Sequence, residues 1–283
     1  MDAHLKLAAD HDELFARWQL LGAGWNEKQV LTKCRSESWR TVHSGVYTRT
    51  QGPLTRRQLL RAATLSAPHT HLHALSGADL YGFHAWNGSY ETVIRPGTGG
   101  KRMYPGLLVA RSCTLDGDVG KKDGLPVVRP ERVLVELAAL LNGKQLGRGF
   151  REACRLKCTT AERISRALAG QRGTALLAAL CDRYATIPYH RCRSDAECRG
   201  LEVLHDAGVP LPAVNVGVAG READYVWRAR RLIVEIQSKE FHPFPVDDEA
   251  KKAIWEAAGY EVRYAWPRDI YDDPDSLVRI CLG

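Results

Sequence analysis

The sequence contains no long run of apolar residues, no CxxC pair, no internal repeat and no low-complexity tract. A membrane-spanning helix needs about twenty consecutive apolar residues, so we expect no membrane span. The N-terminal segment carries acidic residues early and has no apolar signal core, which argues against secretion. We therefore expect a cytoplasmic protein with no membrane partner.

The eight cysteines form no familiar metal motif. In the cytoplasm they should be reduced thiols. Cys181, His190, Cys192 and Cys198 could in principle hold a zinc ion, but their spacing matches no usual zinc pattern. Buried or incidental thiols are the favoured interpretation, and a zinc role stays open.

The net charge of +7 is spread unevenly along the chain. Residues 1–180 contain 26 Lys and Arg against 15 Asp and Glu, whereas residues 181–283 contain 14 against 18. A basic front part suits a polyanion such as nucleic acid. An acidic back part suits carboxylates gathered around a metal ion. Solvated surface charge explains the same imbalance equally well.

The length of 283 residues is enough for two or three small domains. Residues 10–22 are predicted to form a helix, and Asn26 can cap a second helix that ends near Arg35. An alternating segment that turns at Ser44–Gly45 follows, like a short β-wing. These elements together predict a winged-helix DNA-binding domain over residues 1–52.

The remaining residues predict two further domains. Helical stretches and three short strands over residues 53–185 indicate a mixed α/β middle domain. Residues 186–283 follow the order α-β-β-β-α-β, which fits a small mixed sheet flanked by helices. The predicted fold class is therefore α+β or α/β.

A carboxylate group stands in the last predicted domain. Asp224 lies in one predicted strand and Glu235 in the next, and Gln237 shares a strand face with Glu235. Antiparallel strands joined by a tight turn would bring Asp224 and Glu235 together, and carboxylate oxygens are the ligands that Mg²⁺ prefers. Such an ion can activate a water and polarise a phosphate for phosphodiester hydrolysis. Gln237 could then orient the attacking water or touch the phosphate.

Two more side chains could assist this group. Glu197, on the preceding helix, could approach the same metal, and His242 could act as a general acid or base. The alternatives are structural. Asp224 could cap a turn, Glu235 could pair with Arg230 or Arg231, Glu197 could be a solvated helix residue and His242 could simply pack. The structural alternative is least favoured for Glu235, because this residue follows Leu-Ile-Val in an apolar strand where an unpaired acid is costly.

The segment from Ser194 to Trp266 resembles the domains related to very-short-patch-repair endonucleases, within the PD-(D/E)xK, restriction-endonuclease-like superfamily. The matching pieces are Ser194 with Glu197, GVPLP, Asn215, Asp224, RLIVEIQ, His242, Asp247–Asp248, Lys252, GYEVRY and Trp266. The resemblance implies a nuclease domain that uses Mg²⁺ or Mn²⁺, with Asp224 and Glu235 as metal ligands. There is one departure: the superfamily usually has Lys at the position of Gln237.

The front of the chain resembles another family. GWNEKQVLTKC followed by WRTVHSGVYTR is similar to the winged-helix domain of AbiEi-type antitoxins of type IV toxin–antitoxin systems, and SGADLYGF and GLPVVRPERVLVELA are similar to the middle segment of the same actinobacterial proteins. The resemblance implies DNA as a partner. Lys28, Lys33, Arg35 and Arg40 could contact its phosphates, although basic residues on a small helix are often only solvated and the front half lacks a run of base-reading residues.

Two functions from different classes follow from these patterns. The first is a magnesium-dependent endodeoxyribonuclease, delivered to DNA by the winged helix, in bacterial defence or DNA repair. The second is a non-catalytic DNA-binding regulator of antitoxin type, in which the last domain only packs or dimerises. Nucleases with one site often dimerise to cut both strands, so a homodimer is left open.

Overall fold

A computed structural model describes residues 3–36, 39–237 and 245–283, with the backbone alone for 245–248. The fold is α+β, with one antiparallel and two mixed sheets among these residues, which confirms the predicted fold class. None of the helices described is both long enough and apolar enough to span a membrane. The chain divides into two compact units, residues 1–146 with 167–174 and residues 147–166 with 175–283.

The first unit begins with the order helix, strand, helix, helix, strand, strand. These elements are α1 (Ala3–Asp10), β1 (Leu14–Ala16), α2 (Arg17–Gly22), α3 (Glu27–Ser36), β2 (Arg40–His43) and β3 (Val46–Thr48). The strands form an antiparallel sheet in the order β1-β3-β2. This element order is the one expected for the predicted winged helix, and the hairpin of β2 and β3 is called the wing below.

The helix predicted over residues 10–22 is wrong in its first half. Asp12 and Glu13 take left-handed φ angles of 56° and 67°, so the chain turns there. Leu14–Ala16 then pairs with β3 and is fully buried, and only Arg17–Gly22 is helical. The apolar spacing that suggested one helix face instead serves a buried strand followed by a short helix.

Aromatic packing holds this part of the unit together. Phe15, Leu20, Val30 and Trp39 are buried in one cluster, and the rings of Phe15 and Trp39 meet edge to face at 4.6 Å. Val30 is the buried residue of α3, so the opposite side of that helix is left to solvent.

A larger sheet fills the rest of the first unit. Its elements are α4 (Arg56–Leu65), β4 (His71–Leu72), α5 (Ala74–Tyr81), β5 (Glu91–Pro96), β6 (Arg102–Tyr104), β7 (Leu107–Ser112), β8 (Val119–Lys122), β9 (Leu125–Val128) and α6 (Pro130–Leu137). The six strands follow the order β6-β7-β5-β4-β9-β8, with β6 and β8 at the edges. The three strands predicted in this region correspond to β5, β7 and β9. Leu72, Val93, Val109 and Val127 form the core between this sheet and α4.

The second unit contains the order predicted for residues 186–283. Its elements are α7 (Gly143–Arg155), α8 (Ala161–Ala167), α9 (Ala175–Tyr184), α10 (Asp195–Asp206), β10 (Ala213–Val218), β11 (Arg221–Trp227), β12 (Leu232–Ile236), α11 (Pro245–Ala257), β13 (Glu261–Ala265), α12 (Pro267–Tyr271) and α13 (Pro274–Leu282), of which α7 and α8 extend past the unit's limits by a few residues. From α10 to β13 this is α-β-β-β-α-β.

The sheet of the second unit follows the order β10-β11-β12-β13. Its first three strands are antiparallel, and β13 returns parallel to β12 after the crossover helix α11. Trp255 of α11 is buried against Ile233 and Val226, and its indole N–H donates to the carbonyl of Val218. These contacts fix α11 against the face of the sheet.

Candidate functional site

Asp224 and Glu235 lie side by side where β11 and β12 stop pairing. The last paired residues before them are Tyr225 and Val234. Beyond that pair, the peptide N–H of Asp224 donates to Glu235 Oε1 at 2.8 Å, and the peptide N–H of Ile236 donates to Asp224 Oδ2 at 2.8 Å. Each carboxylate thus takes a position that a backbone carbonyl would hold in a regular ladder. The expected meeting of these two acids on a tight hairpin is what the structure contains.

Glu197 is held near the same place by α10. Ser194 caps this helix, and its hydroxyl donates to Glu197 Oε1 at 2.8 Å. Oε2 accepts the peptide N–H of Arg193 at 2.9 Å and the side-chain amide of Asn215 at 2.6 Å. Glu197 is only 5% exposed, so it is not the solvated helix residue of the structural alternative. Its oxygens are occupied by hydrogen-bond donors of this chain.

Asn215 of β10 has an unusual conformation beside Glu197. Its φ of 49° lies in the left-handed region, which Asn tolerates better than most residues. Its amide nitrogen donates both to Glu197 and to the carbonyl of Arg191, while its buried Oδ1 has no hydrogen-bond partner among the residues described. A strained Asn with an unused oxygen, next to a group of acids, indicates a place built for something other than packing.

The acids perturb one another electrostatically. Burial and the nearby Glu197 charge raise the pKa of Asp224 to about 6, although the N–H of Ile236 and the charges of Lys251 and Arg193 act in the opposite direction. Within the described part of the chain no Lys or Arg forms an ion pair with Asp224. Ionised Asp224 is therefore costly in this protein until a cation arrives.

Of the remaining predicted site residues, Gln237 belongs to the part of the chain that the structure describes and His242 does not. Gln237 is buried directly after β12, and its peptide N–H donates to the carbonyl of Ala265 on β13. It therefore follows Glu235 at the same end of the sheet. His242 lies outside the described residues, as do the side chains of Asp247 and Asp248.

Arg230 and Arg231, the arginines that could have paired with Glu235, contact other groups. Arg230 donates to the carbonyl of Leu282. Arg231 donates to the carbonyl of Ala258 and lies over the ring of Tyr260. Both arginines of the hairpin turn are thus engaged away from Glu235.

Asp224 and Glu235 are the residues of this site that could hold a divalent ion. Over the described ranges, no three His, Cys, Asp or Glu side chains converge as a metal cluster. Mg²⁺ is commonly bound by one or two carboxylates together with waters and substrate phosphates, so a two-carboxylate site suits it. The costly charge of Asp224 and the unused Oδ1 of Asn215 fit an ion of this kind.

The cysteines do not build a second metal centre in the residues described. Cys181, Cys192 and Cys198 are free thiols in the interior of the second unit. Burial and the neighbouring Cys192 raise the pKa of Cys198, which leaves it protonated and a poor ligand.

A second candidate surface lies on α3 in the first unit. Lys28, Thr32 and Arg35 follow one another at intervals of four and three, and all three are exposed. Lys28 and Lys33 line a groove of about 430 Å³ that runs past Trp25. The structure thus places two predicted DNA contacts, Lys28 and Arg35, on one face of α3.

The other two predicted DNA contacts are less exposed. Lys33 is half-buried beside the α3 groove. Arg40 is half-buried at the start of β2, and its Nε and Nη2 atoms are buried without a partner in the described part of the chain.

Sequence reasoning missed two contributors to these sites. Lys251 on α11 and Arg193 before α10 supply the positive charge near Asp224. Asn215 was part of the family resemblance, but nothing in its own sequence context predicted a left-handed residue inside a strand. Lys251 could have been found in the sequence, because it lies one helical turn after the acidic pair Asp247–Asp248 on the crossover helix.

The comparisons with known proteins leave the activity open. No family model matches the chain. Over 190 residues, the chain is 28% identical to the uncharacterized protein Rv2248 of Mycobacterium tuberculosis strain H37Rv and to the uncharacterized protein MT2308 of strain CDC 1551. The similarity covers 64% of this chain and 67% of each relative. Because both relatives are uncharacterized, they bring no substrate or partner to this chain.

Proposed function

We propose that this chain is a metal-dependent endonuclease that hydrolyses phosphodiester bonds in DNA. The observation that carries the proposal is the pair of Asp224 and Glu235, whose carboxylates replace ladder carbonyls at the open end of β11 and β12. Burial and the nearby Glu197 charge make ionised Asp224 costly, and a bound cation would offset that cost. The restriction-endonuclease-like resemblance assigns these two residues the same role.

Asp224 and Glu235 would hold Mg²⁺ or Mn²⁺. When bound, the ion would polarise a phosphate and lower the pKa of a water molecule. Gln237 follows Glu235 and is proposed to orient that water through its side-chain amide. Glu197 is assigned a positioning role, because hydrogen bonds with Ser194 and Asn215 already engage its oxygens.

Gln237 carries no charge where related nucleases have a lysine, so another cation would have to stabilise the developing charge on the phosphate. Lys251 of α11 is the candidate, because its charge acts on Asp224. His242 retains the acid or base role expected from the sequence.

The winged helix would deliver the nuclease to DNA through the exposed face of α3. Lys28 and Arg35 would contact phosphates from that face. A DNA substrate is consistent with the cytoplasmic location expected from the sequence. A homodimer would provide one site for each strand.

The test is cutting of supercoiled, linear, mismatched and single-stranded DNA with Mg²⁺, Mn²⁺ or EDTA. We expect wild type to cut at least one substrate with a divalent ion and not with EDTA. Asp224→Asn and Glu235→Gln should remove the activity. Asp272→Asn and Glu249→Gln change exposed acids of the second unit and should retain it. Equal background cutting by wild type and Glu235→Gln would rule the proposal out.

A second reading of the structure favours a DNA-binding regulator without catalysis. It is supported by the exposed basic residues Lys28 and Arg35 on one face of α3, which could bind DNA without any cutting. In that case the double variant Lys28→Ala with Arg35→Ala would lose DNA affinity, and Asp224→Asn would leave regulation intact. Mn²⁺ or Ca²⁺ separates the two functions, since an ion that binds the folded state raises the melting temperature only where a site exists.

A further inference from the structure

One segment of the first unit has a net positive charge because it contains no acid. Residues 92–115, which run from β5 to the end of β7 and beyond, contain four Lys and Arg and no Asp or Glu. Within it, the loop from Pro96 to Gly100 turns at Gly97 and Gly99, whose φ angles of 123° and 121° only glycine adopts readily. The composition marks this edge of the six-stranded sheet as a place that attracts anions.

A cavity of about 390 Å³ opens beside this segment. It is lined on one side by β2 and the turn of the wing and on the other by the ends of β5, β6 and β7. Its polar lining residues are Thr41, His43, Ser44, Ser66, Arg95 and Tyr104. The cavity therefore gathers hydrogen-bond donors from two parts of the chain that are far apart in sequence.

Arg95 is held in a fixed orientation at this cavity. Its Nε donates to the hydroxyl of Thr70 at 3.0 Å, and its Nη2 donates to the hydroxyl of Ser66 at 2.8 Å. Those two hydroxyls in turn donate to the carbonyls of Ala67 and Ala63. The guanidinium is thus preorganised before any ligand binds. These two bonds use Nε and Nη2 and leave Nη1 for a ligand.

The charge of Arg95 is not neutralised by the protein. Over the described residues it forms no ion pair with a carboxylate. Burial and the neighbouring charge of Arg111 lower the pKa of Arg95. A half-buried guanidinium that is repelled by a second arginine and has no acidic partner is costly in the empty protein.

Two further side chains line the same cavity. Both ring nitrogens of His43 are buried without a well-formed hydrogen bond to a described residue. Burial lowers the pKa of His43, and the nearby carbonyl of Pro105 offsets this in part. The ring is therefore neutral at neutral pH. Tyr104, at the end of the edge strand β6, also lines the cavity and is 47% exposed.

We propose that this cavity binds a phosphate group, with Arg95 as its main ligand. A fixed guanidinium fork matches two oxygens of a phosphate, and the hydroxyls around it suit the remaining oxygens. The phosphate belongs either to a DNA backbone that passes the wing or to a free nucleotide or phosphate ion. The proposal concerns the first unit alone and holds whether or not the second unit cuts DNA.

The test uses the full chain in EDTA, so that no cutting occurs. One arm measures the affinity for a labelled duplex by fluorescence anisotropy over a range of salt concentrations. The other arm titrates inorganic phosphate and a deoxynucleoside monophosphate by calorimetry. The variants are Arg95→Met, which removes the fork, and Ser44→Asp, which adds a negative charge at an exposed turn without removing an internal contact. Arg172→Met, at an exposed position of the same unit, controls for the loss of one charge.

If the phosphate is that of DNA, Arg95→Met and Ser44→Asp weaken duplex binding about tenfold and reduce the salt slope by about one, while free phosphate fails to bind wild type. If the phosphate is free, wild type binds it saturably and both variants lose that binding. Wild-type behaviour of both variants in both arms would overturn the proposal. Should Arg95→Met fail to fold, Ser44→Asp alone decides.

Discussion

The hydroxyl oxygen of Tyr225 lies 2.6 Å from the point that a Cβ atom on Gly200 would occupy. Tyr225 is fully buried in β11, and its hydroxyl donates to the backbone carbonyl of Glu197 in α10. The close approach of helix and strand therefore depends on a glycine at position 200. It also holds the backbone of Glu197 against Tyr225, the residue that follows Asp224 in β11.

We predict that Gly200→Ala destabilises the protein by about 1 to 3 kcal/mol, because the added methyl must displace the Tyr225 hydroxyl in a packed interior. Gly217→Ala is the matched control, since a Cβ there has no neighbour within 4 Å. Urea unfolding of both variants measures the change in the free energy of unfolding. Equal stability of the two variants would show that α10 can shift away from β11 at no cost.

A buried arginine supports the same helix from its other side. Arg151 donates to Asp195 at 2.9 Å and to Glu202 at 3.1 Å, and Glu202, only 2% exposed, also accepts the Tyr189 hydroxyl at 2.8 Å. We predict that Arg151→Met costs about 2 to 3 kcal/mol, because Asp195 and the buried Glu202 lose a shared partner while Arg199 still donates to Glu202 at 3.0 Å.

The control for this prediction is Arg148→Met. Arg148 is 71% exposed and lies 3.9 Å from Asp195, so its removal should cost under about 1 kcal/mol. Adding Glu202→Gln to Arg151→Met should recover part of the lost stability. Thermal or urea unfolding that ranks the two arginine variants alike would contradict the importance given to the buried network.

The fold was predictable where its signals were local. The periodic apolar residues of β11 and β12 and the hairpin turn between them predicted the pairing that joins Asp224 to Glu235. The N-terminal helix was predicted wrongly because Leu14–Ala16 is apolar enough for either a helix face or a buried strand. Its pairing with β3, about thirty residues later in the chain, decided the outcome, and periodicity alone carries no information about such partners.

The site was only partly predictable for a related reason. Asp224, Glu235 and Glu197 stand out as acids in apolar or capped positions. The contributions of Lys251 and Asn215 depend on how α11 and β10 pack against the hairpin, and that is a tertiary relationship. The cavity at Arg95 could not be predicted at all, because its lining comes from the wing and from three strands of another sheet.

The pKa of Asp224 predicts an unusual pH dependence of stability. Its folded pKa of about 6 exceeds the unfolded value of 3.8, so the folded state holds the proton more tightly. This contribution is fully present below about pH 4 and is lost as the pH rises through about 6. A shift of two pKa units corresponds to about 3 kcal/mol.

The measurement is the difference between wild type and Asp224→Asn in urea unfolding from pH 4 to pH 8 with EDTA. Because Asn stays neutral, the variant should match wild type near pH 4 and become more stable than it above pH 6. Subtraction removes the opposite contributions of carboxyls such as Asp195 and Glu136, whose pKa values are lowered. Parallel curves would show that Asp224 ionises without cost.

Substitutions of Gln237 test its role in the proposed nuclease, because the resembled superfamily usually has a lysine at this position. We predict that Gln237→Lys retains cutting, because an ammonium group there can also contact a phosphate or a water. Gln237→Ala should reduce the rate about tenfold or more by leaving the water without an orienting group. Single-turnover cutting rates compare the variants. An unimpaired Gln237→Ala would remove this residue from the proposed mechanism.

Lys251 and Lys252 provide a matched pair on one helix. Lys251 acts on Asp224, whereas Lys252 lies 3.7 Å from Glu256 on the same helix. We predict that Lys251→Gln slows cutting at least about tenfold, because a positive charge near the phosphate is lost, and that Lys252→Gln leaves the rate unchanged. Mn²⁺ binding should not weaken in Lys251→Gln, since removing a cation lowers the repulsion of the metal. Weaker metal binding together with slower cutting would instead mean that Lys251 only maintains the shape of the carboxylate site.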